Sequence, residues 1–479
     1  MRMPEMAAYA PVPGPVNRES FLDAQSRHRR ASWRFTALSA LAIGLMGIPL
    51  SAVISPLLYA AAMLAVDLVN LVVAMPDPLA ALASDSGSSA PLPPETIALI
   101  GAAIVVPGSV VLLLAWLGVR RLFKRAGSGA TVLALGARPP GESLEEQQVV
   151  NVVGEMAAAA GVPAPKVMLL DSPVANAAAV GSRMDNCTVV VTTGLLESLD
   201  RAETQAVVAH VVASVGNGDL RIGATLSSVF ATLGLVGSVL RAPSEGRPRV
   251  TLRRLLRYAF GRRGADDAAA LTEVLAQATT EDPDHGEKEP GGFKSMVLLP
   301  FVVAGMAFQL TAMIFGFLVV NPLLRRAWRA RRHLADATAV RLTRDPGALA
   351  RGLVALGTSG GVVPGTEWAA HLFAVGAADP NAGNDGTRPM PTFQPKLADR
   401  VARLRGLGAD VPEVGHAQTP AQRRILAVVL LVSSPCWLSF VGLMIGAALL
   451  LTGVSLMIDS LFLAPMVALA HVALRGLAG

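Results

Sequence analysis

The run Glu203-Thr-Gln-Ala-Val-Val-Ala-His210-Val-Val-Ala-Ser214-Val-Gly-Asn-Gly-Asp219 is where this 479-residue chain comes closest to a chemical centre. On a helix, positions four apart share a face. Two imidazoles at that spacing can grip one metal ion, and a glutamate just after the first can take a proton from a metal-bound water. The first imidazole is present as His210. The next position is Val211, which cannot accept a proton, and the position four on is Ser214, whose neutral hydroxyl is a poor zinc ligand. A single histidine on an apolar helix is by itself a structural residue, so its flanks must give it meaning.

The elements that would position these residues carry local signals. Ser143-x-x-Glu146 and Asp200-x-x-Glu203 are capping boxes that open helices, and Gly161 and Gly216 close them. Val149, Val152, Val153, Met156 and Ala160 follow helical spacing. Lys166–Asp171 and Thr188–Val191 read as short buried strands. A further helix spans about Arg325 to Thr343, and Asp345-Pro346 opens another through Leu356. The Gly-, Asn-, Asp- and Pro-rich stretch 376–392 reads as a surface loop.

Five segments, in order, resemble the HtpX-like membrane zinc metallopeptidases, the group that includes the CAAX prenyl proteases. They are Ala159-Ala-Gly161-Val-Pro163-Ala-Pro165-Lys-Val167, Asn176-Ala-Ala-Ala-Val-Gly181 and Val191-Thr-Thr-Gly194-Leu-Leu196 leading into the His210 helix, which ends Gly218-Asp219. Then come Ala335-Asp336-x-x-Ala339-x-x-Leu342-Thr-x-x-Pro346-x-x-Leu349 and Gln394-Pro395-x-x-x-x-Arg400-x-x-x-Leu404. The resemblance covers roughly residues 145–220 and 324–406. It implies a zincin-like α+β domain split by a membrane insertion, with Asn176–Gly181 as an edge segment.

The departures from that family fall on the chemistry. The resemblance puts the base at Val211, the second ligand at Ser214, the third ligand, a glutamate in the family, at Arg332, and the late His-Pro motif at Gln394-Pro395. His210 is the surviving family ligand, while the Gly, Pro and Ala scaffold is kept. The expectation is therefore a pseudoprotease that is not an enzyme. It would have no catalytic residue intact and no cofactor or bound metal, and would act as a protein-binding or regulatory membrane component. The alternative is a zinc-dependent membrane metalloendopeptidase with a rearranged metal site. A transport or channel role has only Asp67 and Asp459 within apolar stretches to support it.

Arg332 and Asp336, four apart, admit two readings. One is an exposed pair worth a few tenths of a kcal/mol. The other places the Arg332 guanidinium in the metal position, paired with a buried Asp336. His333 is offset by about 100° from that face and is not expected to be a ligand. His371 reads as structural.

Composition sets the environment. The chain is 52% hydrophobic with mean hydropathy +0.50, which implies several membrane spans and a lipid bilayer as partner. Apolar runs lie at about Thr36–Met75, Ile97–Val119, Ile222–Leu240, Met296–Leu323 and Ile425–Leu474. The first is too long, and begins too far in, for a cleavable signal peptide. Its prolines, Pro49 and Pro56, suggest kinks or a break; the flanking charges allow one or three crossings, and one crossing plus an interfacial helix is the favoured reading. Two cysteines, Cys187 and Cys436, give no disulfide framework and read as buried thiols. The net charge of +6 orients loops rather than binding nucleic acid, for which no motif is present.

Arg and Lys cluster at 27–34 and 120–125 and recur at Arg325 and Arg326, while 75–95 has none. The positive-inside rule then puts the peptidase-like domain on the cytoplasmic side of a multi-pass protein of a bacterial inner membrane. The expected layout is a basic tail (1–35), an N-terminal membrane region (36–119) and a first half-domain (126–220). A membrane hairpin (221–323) with polar loop 242–293, a second half-domain (324–410) and a C-terminal membrane hairpin (424–475) follow. The fold class is thus a multi-span α-helical membrane protein carrying a cytoplasmic α+β zincin-like domain.

Overall fold

A computed structural model describes residues 20–73, 93–126, 132, 135–242, 293–360, 363, 372–376, 394–412 and 420–478. In chain order the elements are α1 (Phe21–Asn70), α2 (Pro94–Ala126), α3 (Leu144–Ala160), β1 (Lys166–Leu170), β2 (Ala177–Arg183) and β3 (Asn186–Thr192). Next come α4 (Thr193–Ser198), α5 (Arg201–Gly216), α6 (Asp219–Arg241) and α7 (Phe293–Phe315), the last running through a π segment (Gly316–Val320) into α8 (Asn321–Thr343). Then α9 (Pro346–Thr358), α10 (Leu397–Gly406) and α11 (Pro420–Ile458) lead through a second π segment (Asp459–Leu463) to α12 (Ala464–Ala478). The chain divides into two units. One comprises Met1–Phe35, Thr131–Arg221 and Arg325–Ile425, and the other Thr36–Ala130, Ile222–Leu324 and Leu426–Gly479.

Among the described residues, five helices are long and apolar enough to cross a membrane: Leu22–Asn70, Pro94–Leu122, Asp219–Arg241, Leu298–Thr343 and Leu438–Gly476. They coincide with the five apolar runs. Pro49 and Pro56 do not break α1, which is helical throughout. A proline inside a membrane helix is tolerated where side chains and neighbouring helices re-satisfy the freed backbone groups. The carbonyls freed by Pro49 and Pro56 are those four residues earlier, of Leu45 and Ala52, while the Ser51 and Ser55 hydroxyls donate to those of Ile48 and Ser51. The Ser55 hydroxyl in turn accepts from the Gly108 amide of α2 at 3.0 Å. A Cβ at Gly108 would fall 2.1 Å from the Ser51 carbonyl oxygen, so the two backbones approach as closely as only glycine allows.

The stretch 424–475 is helical from end to end, through α11, the π segment and α12, where a hairpin would need a turn. Asp67 of α1 is buried, and its Oδ1 lies 2.7 Å from His471 Nδ1 and 3.5 Å from Arg475 Nε of α12. Nearly all of loop 242–293 and of stretch 376–392 lies outside the described residues.

In the first unit, local rules fix the helix ends. The Ser143 hydroxyl caps α3, which closes on Gly161 at φ 67, left-handed backbone that glycine adopts freely. Asp200 and Glu203 form a reciprocal capping box at α5, and Asp345 caps α9 ahead of Pro346. The sheet order is β1-β3-β2, with β1 parallel and β2 antiparallel to β3. Val189, Val190 and Val191 of β3 are fully buried, as a central strand covered on both faces requires.

Helix α5 is buried almost all round, from Ala206 to Val215. Its valines share one core with Val152 and Met156 of α3, with β3, and with Leu349 and Leu353 of α9. Each such side chain, fully buried, contributes about 1.5–3 kcal/mol. Helix α9 comes so close that a Cβ at Gly352 would lie 2.9 Å from Val207 Cγ2 of α5. The His210 helix is therefore the central post of the domain.

Candidate functional site

His210, on the central turns of α5, is fully buried. Its Nδ1 lies 2.8 Å from Oδ1 of Asp336, which projects from α8. Burial pushes the imidazole down to about 4, against the pull of Asp336 and helped by the nearby Arg400 and Arg332 guanidiniums. A neutral ring so placed donates Nδ1–H to the carboxylate. The Arg400 guanidinium lies against it, with Nη2 3.4 Å from His210 Nε2.

Arg400, from α10, makes the principal ion pair of the site. Its Nε donates to Asp336 Oδ2 at 2.9 Å and its Nη2 to Asp336 Oδ1 at 2.7 Å. Its Nη1 donates to the carbonyl of Ala374 at 2.6 Å. The sequence reading gave the Asp336 pairing to Arg332, and the structure gives the two-point pair to Arg400. Arg332, also buried, sends Nη2 to the carbonyls of Leu372 (3.2 Å) and Phe373 (2.9 Å), and its guanidinium lies 5.8 Å from the Trp328 ring centre. An i,i+4 spacing brings two residues to one face but does not decide which partner the longer side chain reaches.

Gln394 donates Nε2–H to the same Phe373 carbonyl at 2.7 Å. The Ser214 hydroxyl turns back on its own helix, to the Val211 carbonyl at 2.7 Å, and Val211 packs in the core. His333 Nδ1 stands 4.0 Å from Asp336 Oδ2, beyond hydrogen-bond reach, and its ring lies 5.4 Å from that of His28. His371 lies outside the described residues. Cys187 is a buried free thiol, and the Cys436 side chain is not among those described.

The structure thus gathers His210, Arg332, Asp336 and Gln394 and adds three residues to which sequence reasoning gave no role. Arg400 had a signal, its place in the Gln394-Pro395 segment. Asn176 had one too, its place in the edge segment. Arg331 had none. It joins α8 to the end of α5, with Nε 2.6 Å from Asp219 Oδ1, Nη2 2.7 Å from the Asn217 carbonyl and Nη1 3.0 Å from Ser32 Oγ.

A zinc centre would ask positions 210, 214 and 332 for three lone pairs. They offer one imidazole, a hydroxyl committed to a backbone carbonyl and a guanidinium, which has no lone pair to give. Among the described residues no group of three or more His, Cys, Asp or Glu is disposed to hold a metal ion. These residues do not fit a three-ligand zinc site of the kind the resemblance implies. What they do fit is the backbone of an extended segment. Asn176, Arg332, Gln394 and Arg400 all donate to main-chain carbonyls of residues 372–375, beside β2.

Residues 143–407 match the model of Peptidase family M48. Among curated proteins, the chain is 27% identical over 255 residues to a protein named Protease HtpX homolog from Streptococcus equi subsp. equi, covering 53% of this chain and 71% of that one. It is 28% identical over 274 residues to the Protease HtpX homolog of Dictyoglomus thermophilum, covering 57% and 73%. It is 29% identical over 270 residues to that of Streptococcus gordonii, covering 56% and 76%. No solved structure matches the chain.

Two expectations are corrected by these matches. The matching family is a peptidase family and the relatives carry the name protease, which overturns the expectation that the chain is not an enzyme. The expectation that no cofactor serves it falls for the same reason, because the metallopeptidases concerned work with zinc. The changed residues at 211, 214 and 332 do not of themselves show that activity is lost. With the family match spanning more than half of its length, and with five apolar helices among the described residues, the chain belongs to peptidase family M48, among its HtpX-like membrane members.

Proposed function

We propose that this protein engages polypeptide chains in extended form, at a domain held beside a membrane, as a protein-binding member of its peptidase family. The observation that carries this is the convergence of Asn176, Arg332, Gln394 and Arg400 on main-chain carbonyls along the outer edge of β2. Donors aimed at carbonyl oxygens recognise backbone, which every polypeptide presents, and an edge strand recognises it in the same way. The same reading places 126–220 and 324–410 together on the cytoplasmic side of a bacterial inner membrane. The Arg and Lys clusters at 27–34 and 120–125 support that side, against the Lys- and Arg-free stretch 75–95. The partner or substrate is then a protein in or near that membrane.

The test is binding of fluorescein-labelled casein, an unstructured polypeptide, to the full-length protein in lipid nanodiscs, with cleavage followed by gel in the same samples and zinc supplied. Saturable binding, absent from empty nanodiscs, is the expected result. Signal equal to that of empty nanodiscs would overturn the reading.

A further inference from the structure

The segment Leu372–Val375 lies where a fourth strand of the sheet would run. Phe373 pairs antiparallel with Ala178 of β2, the edge strand, and the Ala374 amide donates to the Ala177 carbonyl at 2.7 Å. All four of its carbonyls are taken by side chains. Arg332 Nη2 reaches those of Leu372 and Phe373, Gln394 Nε2 that of Phe373, Arg400 Nη1 that of Ala374, and Asn176 Nδ2 that of Val375 at 2.8 Å. The Val375 amide returns a contact to Asn176 Oδ1 at 3.4 Å. Phe373, Ala374 and Val375 are buried, and so are the four donating side chains.

These donors come from four places in the chain: the residue before β2, α8, the residues leading to α10, and α10 itself. Two of them, Arg332 and Gln394, stand at positions where the resembled family carries chemistry. A helix or strand ordinarily satisfies its carbonyls with its own backbone, yet here each carbonyl of a four-residue piece is met by a side chain. Such a cradle reads backbone and leaves the sequence of its occupant open, provided the occupant's side chains are small or apolar enough to bury.

We propose that Leu372–Val375 is an internal ligand in a polypeptide-binding site along the outer edge of β2, and that an incoming extended chain binds by displacing it. The site takes a backbone in antiparallel register with Ala177 and Ala178, its carbonyls meeting Asn176, Arg332, Gln394 and Arg400. The inference rests on the polypeptide-binding reading and adds that the site is filled at rest by the protein itself. Affinity for other chains is then set by competition. An outside chain binds only as tightly as the fraction of time the segment is away allows.

The test locks the segment in place. Facing residues of an antiparallel pair have Cα atoms roughly 4.5–5.5 Å apart, within the reach of a disulfide. The variant Ala178→Cys with Phe373→Cys is made in a full-length background carrying Cys187→Ala and Cys436→Ala, in nanodiscs, and titrated with fluorescein-labelled casein. We expect the oxidised form to bind at least tenfold more weakly than the same sample after reduction. A second variant, Phe373→Ala, loosens the segment without touching the donors and should bind casein about tenfold more tightly than wild type. Equal affinity of oxidised and reduced forms, with binding intact, would make the segment an ordinary fourth strand and overturn the proposal while leaving the polypeptide-binding reading standing. Phe373→Ala binding no tighter than wild type would count against it in the same way. No casein binding by wild type or by either variant in any state would bring down both.

Discussion

Arg400 grips Asp336 at two points, Nε on Oδ2 and Nη2 on Oδ1, with both residues buried. Taking two charges out of water is costly, and the pair holds only because its remaining hydrogen-bonding positions are filled. Asp336 also accepts from His210, and Arg400 also donates to Ala374. Three helices, α5, α8 and α10, are tied together through this one carboxylate.

Breaking the pair from one side should therefore hurt more than removing it whole. Arg400→Leu leaves Asp336 buried without its two-point partner and should cost roughly 3–5 kcal/mol, whereas Arg400→Leu combined with Asp336→Leu should recover a large part of that. Thermal unfolding of the purified full chain reads both. A single variant as stable as wild type would sink the account of the pair.

The neutral state of His210 predicts how stability follows pH. Its folded value, about 4, lies below the ordinary 6.5, so between those values the unfolded chain takes up a proton at this residue that the folded one does not. Stability from this group is complete above about pH 6.5, falls as the pH drops toward 4, and levels off below. The full loss is at most about 3 kcal/mol. His210→Asn, which keeps a donor for Asp336 but does not titrate, should make that part of the profile shallower, with His28 and His333, whose values burial also lowers, still contributing to it. Identical profiles for the two proteins would show that His210 is not held neutral.

In the membrane unit, Asp67 with His471 and Arg475 pins α1 to α12. Polar contacts between membrane helices contribute about 0.6–2 kcal/mol. Asp67→Leu should lower the melting temperature of the detergent-solubilised protein, and His471→Leu added to it should cost little more, since both remove the same contact. Fully additive losses would mean that the two residues act apart.

The unbroken helix through α11, its π segment and α12 predicts that Arg424 and Gly476 face opposite sides of the membrane. Arg424→Cys should react with an impermeant maleimide in inverted vesicles, and Gly476→Cys in spheroplasts. Labelling of both from one side would restore the hairpin read from the length of the apolar run.

What the sequence made legible was local. The capping box at Asp200, the Asp345-Pro346 start and the left-handed Gly161 each depend on a few neighbouring residues, and all stand in the structure; at Ser143 only the hydroxyl cap forms, because Glu146 turns to Arg138 and the Gly141 amide. So do the five apolar runs, because crossing a bilayer demands length and apolarity that nothing else in this chain requires. The hairpin expected over 424–475 rested on length alone. Long-range partners were hidden. Asp336 and Arg400 are separated by 64 positions, a helix and a loop, with no local rule to join them, and the nearer Arg332 looked the natural partner by helical spacing. The pairing of Phe373 with Ala178 joins four residues to a strand nearly two hundred positions away. A piece that short carries no alternation to betray it.

The close seating of α9 on α5 at Gly352 has a genetic consequence. Valine is stiff at χ1, so Val207 cannot swing clear of a methyl group placed 2.9 Å away, and even alanine at 352 must push one helix off the other. The strain would land on the helix that carries His210, without altering any residue that touches a polypeptide. Conditional alleles should accordingly gather at this glycine, working in the cold and failing on warming, in a screen blind to structure.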